Sequence, residues 1–179
     1  TLGAFATFVL FYLMTVFSLG HGTAVLGYSR EQFLLMQMVA MLFFAVGIPL
    51  SARYGDRWGT RRTMIIASVL ILGFGVLFAP LFQANSPWLV LVFLCLGLFL
   101  MGLTYGPCGT FLAEIYPVEV RYTGASLSFN LAGILGAAPA PYLATWLAER
   151  FGLVAVGYYL CLTAVATLCA LVALHRRGG

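Results

Sequence analysis

The sequence predicts an all-α, polytopic membrane protein: one bundle of six transmembrane helices. Three observations carry that expectation. Hydrophobic residues make up 63% of the 179 positions and charged residues 8%, against roughly 25% charge in an average soluble domain. Mean hydropathy is +1.03. The few charges are gathered in short clusters between apolar runs, and several runs reach the roughly 20 residues that a helix needs to cross a bilayer core.

The first run is Gly3 to Leu19, closed by Gly20-His21-Gly22-Thr23, and the second is Gln32 to Ala52. Between the second and third lies the densest charge in the chain, Arg53 to Arg62 (R-Y-G-D-R-W-G-T-R-R), which holds its one Asp. Flanked by lipid-soluble sequence, this cluster reads as a short turn at a membrane surface. Thr63 to Ala113 carries no charge and is too long for one span. Gln83-Ala84-Asn85-Ser86-Pro87 divides it into a third helix, 64–82, and a fourth, 88–113. After the polar loop Glu114 to Tyr122 come a fifth helix at 123–147, a Glu149-Arg150 turn, and a sixth at 153–174. His21 and Glu31 read as loop residues.

Orientation follows from the excess of basic residues that cytoplasmic loops carry. Arg53, Arg57, Arg61, Arg62, Arg121, Arg176 and Arg177 fall on one side, Arg30 and Arg150 on the other. The first side is expected to be cytoplasmic, with both chain ends; an even number of spans agrees. No basic leader with a cleavage site is visible, and the sequence opens without Met.

Several function classes fit poorly. The net charge of +4 does not suggest nucleic acid, because the Arg residues form separated loop clusters rather than one basic face. Cys95, Cys108, Cys161 and Cys169 lie inside apolar runs without a C-x-x-C pair, which reads as packing rather than metal or disulfide. His21 and His175 lie toward opposite faces and cannot join one catalytic cluster. No enzyme, cofactor or metal site is expected.

The helices carry features of a moving bundle. Pro49, Pro107, Pro139 and Pro141 lie within spans, where neighbours or a cavity must satisfy the freed carbonyls. Gly102-x-x-x-Gly106 and the run Gly133, Gly136, Ala137, Ala138 offer small faces for close helix approach.

The sequence G-D-R-W-G-T-R-R between a second and third helix resembles the signature loop of the major facilitator superfamily. Asp56, Arg57, Gly59, Arg61 and Arg62 match it, while Ala52 replaces a usual Gly and Thr60 a usual basic residue. A-E-I-Y-P-V-E-V-R-Y-T-G-A-S-L, Ala113 to Leu127, is similar to the loop before the eleventh helix of metabolite:proton symporters, which carry shikimate, 2-oxoglutarate, citrate, proline or betaine. Glu114, Pro117, Arg121, Tyr122, Thr123, Gly124, Ala125 and Ser126 are kept, but Val118-Glu119 replaces a usual Thr-Arg. Tyr105-Gly106-Pro107 and I-L-G-A-A-P-A-P extend the match. Sugar porters share its Glu-x-x-Pro-x-x-x-Arg skeleton.

This resemblance assigns the chain to helices seven to twelve, the C-terminal half of a carrier in a bacterial plasma membrane. It implies proton-coupled symport of a small carboxylate or zwitterion by alternating access, with an absent N-terminal six-helix half as partner. It also implies a cytoplasmic gate of Asp56, Arg57, Gly59, Arg61, Arg62, Glu114 and Arg121. Within it, Glu114 and Arg121 would join Arg61 or Arg62 in ion pairs, and Asp56 would face a helix start of the other half.

Candidate cavity residues follow from polar groups inside spans, which usually face a bundle interior. Tyr12 and Thr15, with Ser18, Phe8 and Phe11, share one face of the first helix. Gln37 lies in the second and Tyr105 in the fourth. Ser126, Asn130, Gly133 and Ala137 form a polar, small stripe on the fifth. Ser and Thr can instead bond their own backbone. No charged residue or His falls mid-span, so a coupling carboxylate is expected in the other half. A sugar-porter-like half and an inactive or structural membrane fragment stay open as alternatives.

Overall fold

The computed structural model describes residues 2–83 and 86–173. Among them are six helices long and apolar enough to cross a membrane: α1 (Leu2–Ala24), α2 (Arg30–Trp58), α3 (Thr60–Phe82), α4 (Pro87–Ile115), α5 (Arg121–Phe151) and α6 (Leu153–Ala173). The expected six-span bundle is the observed fold, and no strand occurs among the described residues. Arg176, Arg177, His175 and the expected end of the sixth helix at Leu174 lie outside the described residues, as do Ala84 and Asn85.

The ends of the helices differ from expectation, because hydropathy stops at the first charge and backbone capping does not. α1 continues through the Gly-His-Gly-Thr segment expected to close it. Thr23 Oγ1 donates back to Leu19 O at 2.8 Å, and the turn comes only at Gly27, with φ 74°. His21 is therefore a helical residue, not a loop residue.

α2 begins two residues early at a capping box, in which Ser29 and Gln32 exchange side-chain and backbone hydrogen bonds. At its other end it runs six residues past Ala52. Arg53 to Trp58 are helical, and the turn between α2 and α3 is a single glycine, Gly59, at φ 91°. A residue with a Cβ rarely adopts that backbone. Glu114 likewise lies in the last turn of α4 rather than in a loop.

Two helices are interrupted. Leu13–Phe17 of α1 is a π-helical turn. α5 divides into Arg121–Ala137 and Ala140–Phe151. The continuous fifth helix expected over Pro139 and Pro141 is thus corrected: both prolines lack the N–H that would continue the ladder.

Aromatic packing organises the core. Phe82 stacks on Phe93 at 4.6 Å, and Phe78 meets Phe93 edge-on at 4.9 Å. α2 lies along α4, α3 packs on α6 and α4, and α1 packs on α6 and the first piece of α5. The Gly102-x-x-x-Gly106 face serves the close approach expected of it. A Cβ on Gly102 would sit 2.6 Å from Phe44 O and 3.1 Å from Gly47 Cα. Ser51 Oγ, buried in the same seam, donates to Ile48 O at 2.9 Å and is 3.2 Å from Gly102 O. The Gly133–Ala138 run works similarly, with Gly136 held against Phe5 and Phe8 of α1.

Burial is uneven. Within their most apolar windows α1 is 56% buried, whereas α2 and α5 are 17% and 22% buried. α2 and α5 therefore present the faces least covered by this bundle.

Candidate functional site

Two regions gather the expected site residues. The first is the charged end of the bundle, where α2, α3, α4, α5 and α6 terminate. Arg61 Nε donates to Leu171 O at 2.8 Å, and Nη2 lies 3.5 Å from Val172 O. The guanidinium thus meets the backbone carbonyls of the last described turn of α6. Thr60 Oγ1 donates to Glu114 Oε1 at 3.2 Å. Arg121 Nε donates to Tyr116 O at 3.3 Å.

The expected ion pairs of Glu114 and Arg121 with Arg61 or Arg62 are not formed among the described residues. Backbone carbonyls instead accept from Arg61 and Arg121, and the Thr60 hydroxyl donates to Glu114. Asp56, Arg57 and Arg62 are exposed in the last turn of α2 and the first of α3, around Gly59, with no side-chain partner among the described residues.

The loop before α5 is tied down by a contact that the sequence did not reveal. Tyr116 lies against Gly124, where a Cβ would meet its ring at 2.6 Å, and its hydroxyl is 2.6 Å from Ser128 Oγ. The small residue of R-Y-T-G-A-S therefore makes room for a tyrosine eight positions earlier. Ser128 is off the stripe read from periodicity, which is why it was missed.

The second region is a groove of about 470 Å³ between α1 and the first piece of α5. Phe8, Phe11 and Tyr12 line one wall, and Phe129, Asn130, Gly133 and Ala137 the other. It adjoins a second recess of about 580 Å³, between α4 and α5, lined by Ser126, Asn130, Arg121 and Tyr122. Asn130 belongs to both. Its Nδ2 donates to Ser126 O at 2.8 Å and lies 3.4 Å from Ser126 Oγ, leaving Oδ1 without a protein partner among the described residues. The structure therefore brings together Tyr12, Ser126, Asn130, Gly133 and Ala137.

Thr15, Gln37 and Tyr105 are placed otherwise. Tyr105 packs between Phe44 and Phe129 and is 40% exposed. Thr15 Oγ1 donates to Phe11 O at 2.7 Å, the backbone bond that competes with cavity lining for any helical Thr. Gln37 reaches across from α2 and donates through Nε2 to Met14 O and Thr15 O, both at 2.9 Å. Those carbonyls belong to the π turn, and a second helix satisfies what the i→i+5 pattern displaces. Gln37 is a brace for the turn beyond Tyr12, not a wall of the groove. Gln37→Leu removes the donor with little change in volume. Faster amide hydrogen exchange confined to the α1 segment around Leu13–Ser18 is the expected result, read by mass spectrometry.

Kinked, closely packed helices around an open, aromatic-walled groove, with basic residues gathered at one end, make an integral membrane bundle of the carrier type. The chain belongs to the Major Facilitator Superfamily, whose family model matches residues 1–178. It is 49% identical over 175 residues to the inner membrane metabolite transport protein YhjE of Escherichia coli (strain K12), covering 95% of this chain and 40% of that protein. It is 32% identical to a citrate-proton symporter of Klebsiella pneumoniae, covering 93% of this chain and 38% of the symporter. A proline/betaine transporter of Escherichia coli (strain K12) is 26% identical, with 91% of this chain and 33% of the transporter covered. The chain thus spans about two fifths of the length of its first relatives. These relatives are named as transport proteins, not enzymes. No solved structure gave a significant match.

Proposed function

We propose that this chain is the C-terminal six-helix half of a secondary carrier that moves a small polar metabolite, a carboxylate or zwitterion, by proton-coupled symport. The observation that supports this most is the pair of adjoining recesses that share Asn130, one walled by Tyr12 and small residues of α5 and the other by Ser126. An uncommitted carboxamide oxygen in an aromatic-walled recess can accept from an ammonium or hydroxyl. The Nδ2 group can turn from Ser126 O to donate to a carboxylate.

In this reading the sparsely buried faces of α2 and α5 meet an N-terminal six-helix half, and the groove is one wall of the cargo path. The half-bundles rock against each other to open it to either side. Both chain ends and the Arg-rich turn lie in the cytoplasm, and the membrane is the bacterial inner membrane. The relatives named for citrate and for proline or betaine support a charged or zwitterionic cargo over a sugar. A carboxylate for proton coupling, and a counter-ion for charged cargo, are supplied by the other half.

The test is uptake of labelled citrate, proline, betaine and shikimate into vesicles bearing the native polypeptide, with and without an imposed proton gradient. Uptake of at least one, accelerated by the gradient, is the expected outcome; uptake indifferent to the gradient removes proton coupling. In the same assay Asn130→Ala raises KM about tenfold, the loss of one hydrogen bond to a charged or strongly polar cargo. An unchanged KM takes Asn130 out of the site.

A further inference from the structure

Beyond the cargo groove, the same pair of helices encloses a recess of about 480 Å³ that contains two ionisable side chains, His21 from α1 and Glu149 from α5. Resting on the carrier reading above, we propose that this recess is a proton-linked closing point. Protonated His21 and the Glu149 carboxylate meet across it and shut that end of the groove.

The geometry supports closure rather than a static pair. His21 lies beyond the π turn of α1, and Glu149 lies beyond the proline break of α5. Glu149 therefore sits on a helical piece separated from the piece lining the cargo groove, and His21 lies past the π turn of a continuous α1. The prolines at 139 and 141 leave the Ala140–Phe151 piece without a continuous ladder to Arg121–Ala137, so it can tilt with little loss of hydrogen bonding.

The imidazole stacks on Phe17 and lies tilted against Phe82, with ring centroids 5.5 Å away in both cases. Neither its nitrogens nor the Glu149 carboxylate has a hydrogen-bond or ion-pair partner among the described residues. They line one recess and do not touch. Thr145, on the same wall, is already committed to Pro141 O at 2.9 Å.

The surroundings leave this pair without competitors. α3 brings Phe82 and Phe78, which carry no charge. α2 brings Phe33 against Gly22, and its Arg30 and Glu31 do not line the recess. Arg150, next to Glu149, is turned onto the Trp146 ring at 5.5 Å. Imidazole is also a side chain that can take up a proton on mild acidification. The proton comes from the aqueous phase at that end and returns to it, and only an N–H bond is made or broken. This recess sits at the end of the bundle opposite Asp56 and Arg62, so it acts on the opposite mouth of the groove.

The experiment uses nitroxide labels on Val25→Cys and Phe151→Cys, with Cys95, Cys108, Cys161 and Cys169 replaced by Ala or Ser, in the native polypeptide in lipid vesicles. Inter-label distance is measured by pulsed electron resonance from about pH 8 to about pH 5, spanning the ordinary histidine range. The expected result is a shortening of a few ångströms on acidification, lost in His21→Gln and equally in Glu149→Gln. A distance that does not change with pH overturns the proposal. So does a shortening that survives in either variant. Helical content by circular dichroism confirms that the variants are folded, and a third variant, Thr145→Ala, keeps the pH response. The readout needs no cargo, so failure of the transport reading and failure of this one are told apart.

Discussion

Gly102→Leu is expected to prevent the six-helix bundle from assembling. The backbones of α2 and α4 approach so closely there that a Cβ would lie 2.6 Å from Phe44 O, with Gly47 Cα at 3.1 Å. Both are main-chain atoms and cannot swing aside. Relief requires the two helices to separate along the most extensive contact in the fold, which also strips Ser51 of its place against Gly102 O. Overpacking at a site that cannot yield destabilises by about 3 kcal/mol or more. Gly73→Leu is the matched control, since nothing lies within 4 Å of a Cβ there. Thermal unfolding in detergent should show the first variant aggregated or melting far below the parent and the second close to it. Equal behaviour would mean the α2–α4 seam is looser than described.

Asp56→Asn should act in the opposite sense on stability and on function. An acid in the last turn of α2 faces the negative end of the helix dipole. The clustered arginines nearby make no contact close enough to offset this among the described residues. Removing the charge therefore leaves the fold intact, or raises its stability by less than about 1 kcal/mol. If, as proposed, the carboxylate meets a partner in the other half, transport should nonetheless fall about tenfold or more, equivalent to about 1.4 kcal/mol of lost interaction. Arg62→Ala belongs to the same test: turnover lost, membrane insertion kept. A variant that transports at the parent rate would reduce the cluster at Gly59 to a topology signal.

The spans were legible because helices in lipid must bury their own backbone and therefore show as long apolar runs. Their ends were not, because Ser29, Gly59 and Thr23 act through backbone geometry that hydropathy does not register. The stripe Ser126-Asn130-Gly133-Ala137 was legible as a period; its last three members face the groove and Ser126 the adjoining recess. Gln37 and Thr15 were misplaced because a π turn leaves no mark on its own side chains; its signature is a donor from another helix. The charged cluster at Gly59 was singled out by resemblance, but its contacts were not legible, since Arg61 is directed to the end of α6, 110 residues away in sequence. His21 was taken for a loop residue because flanking glycines suggest a turn in water. Here one of them, Gly22, allows Phe33 to press against the helix.

The most direct test of the account is the water accessibility of the groove. In the native polypeptide with its own cysteines replaced, Tyr12→Cys, Asn130→Cys and Val76→Cys are each exposed to a charged, membrane-impermeant thiosulfonate. Val76 is 62% exposed on α3, which does not line the groove; facing hydrocarbon, a thiol there does not ionise and does not react. The account predicts rapid labelling at positions 12 and 130, slowed by cargo, and none at position 76. Failure to label 12 and 130, or labelling equal to that at 76, would contradict it: the α1–α5 face would then be covered by lipid or protein and would not be a path for cargo.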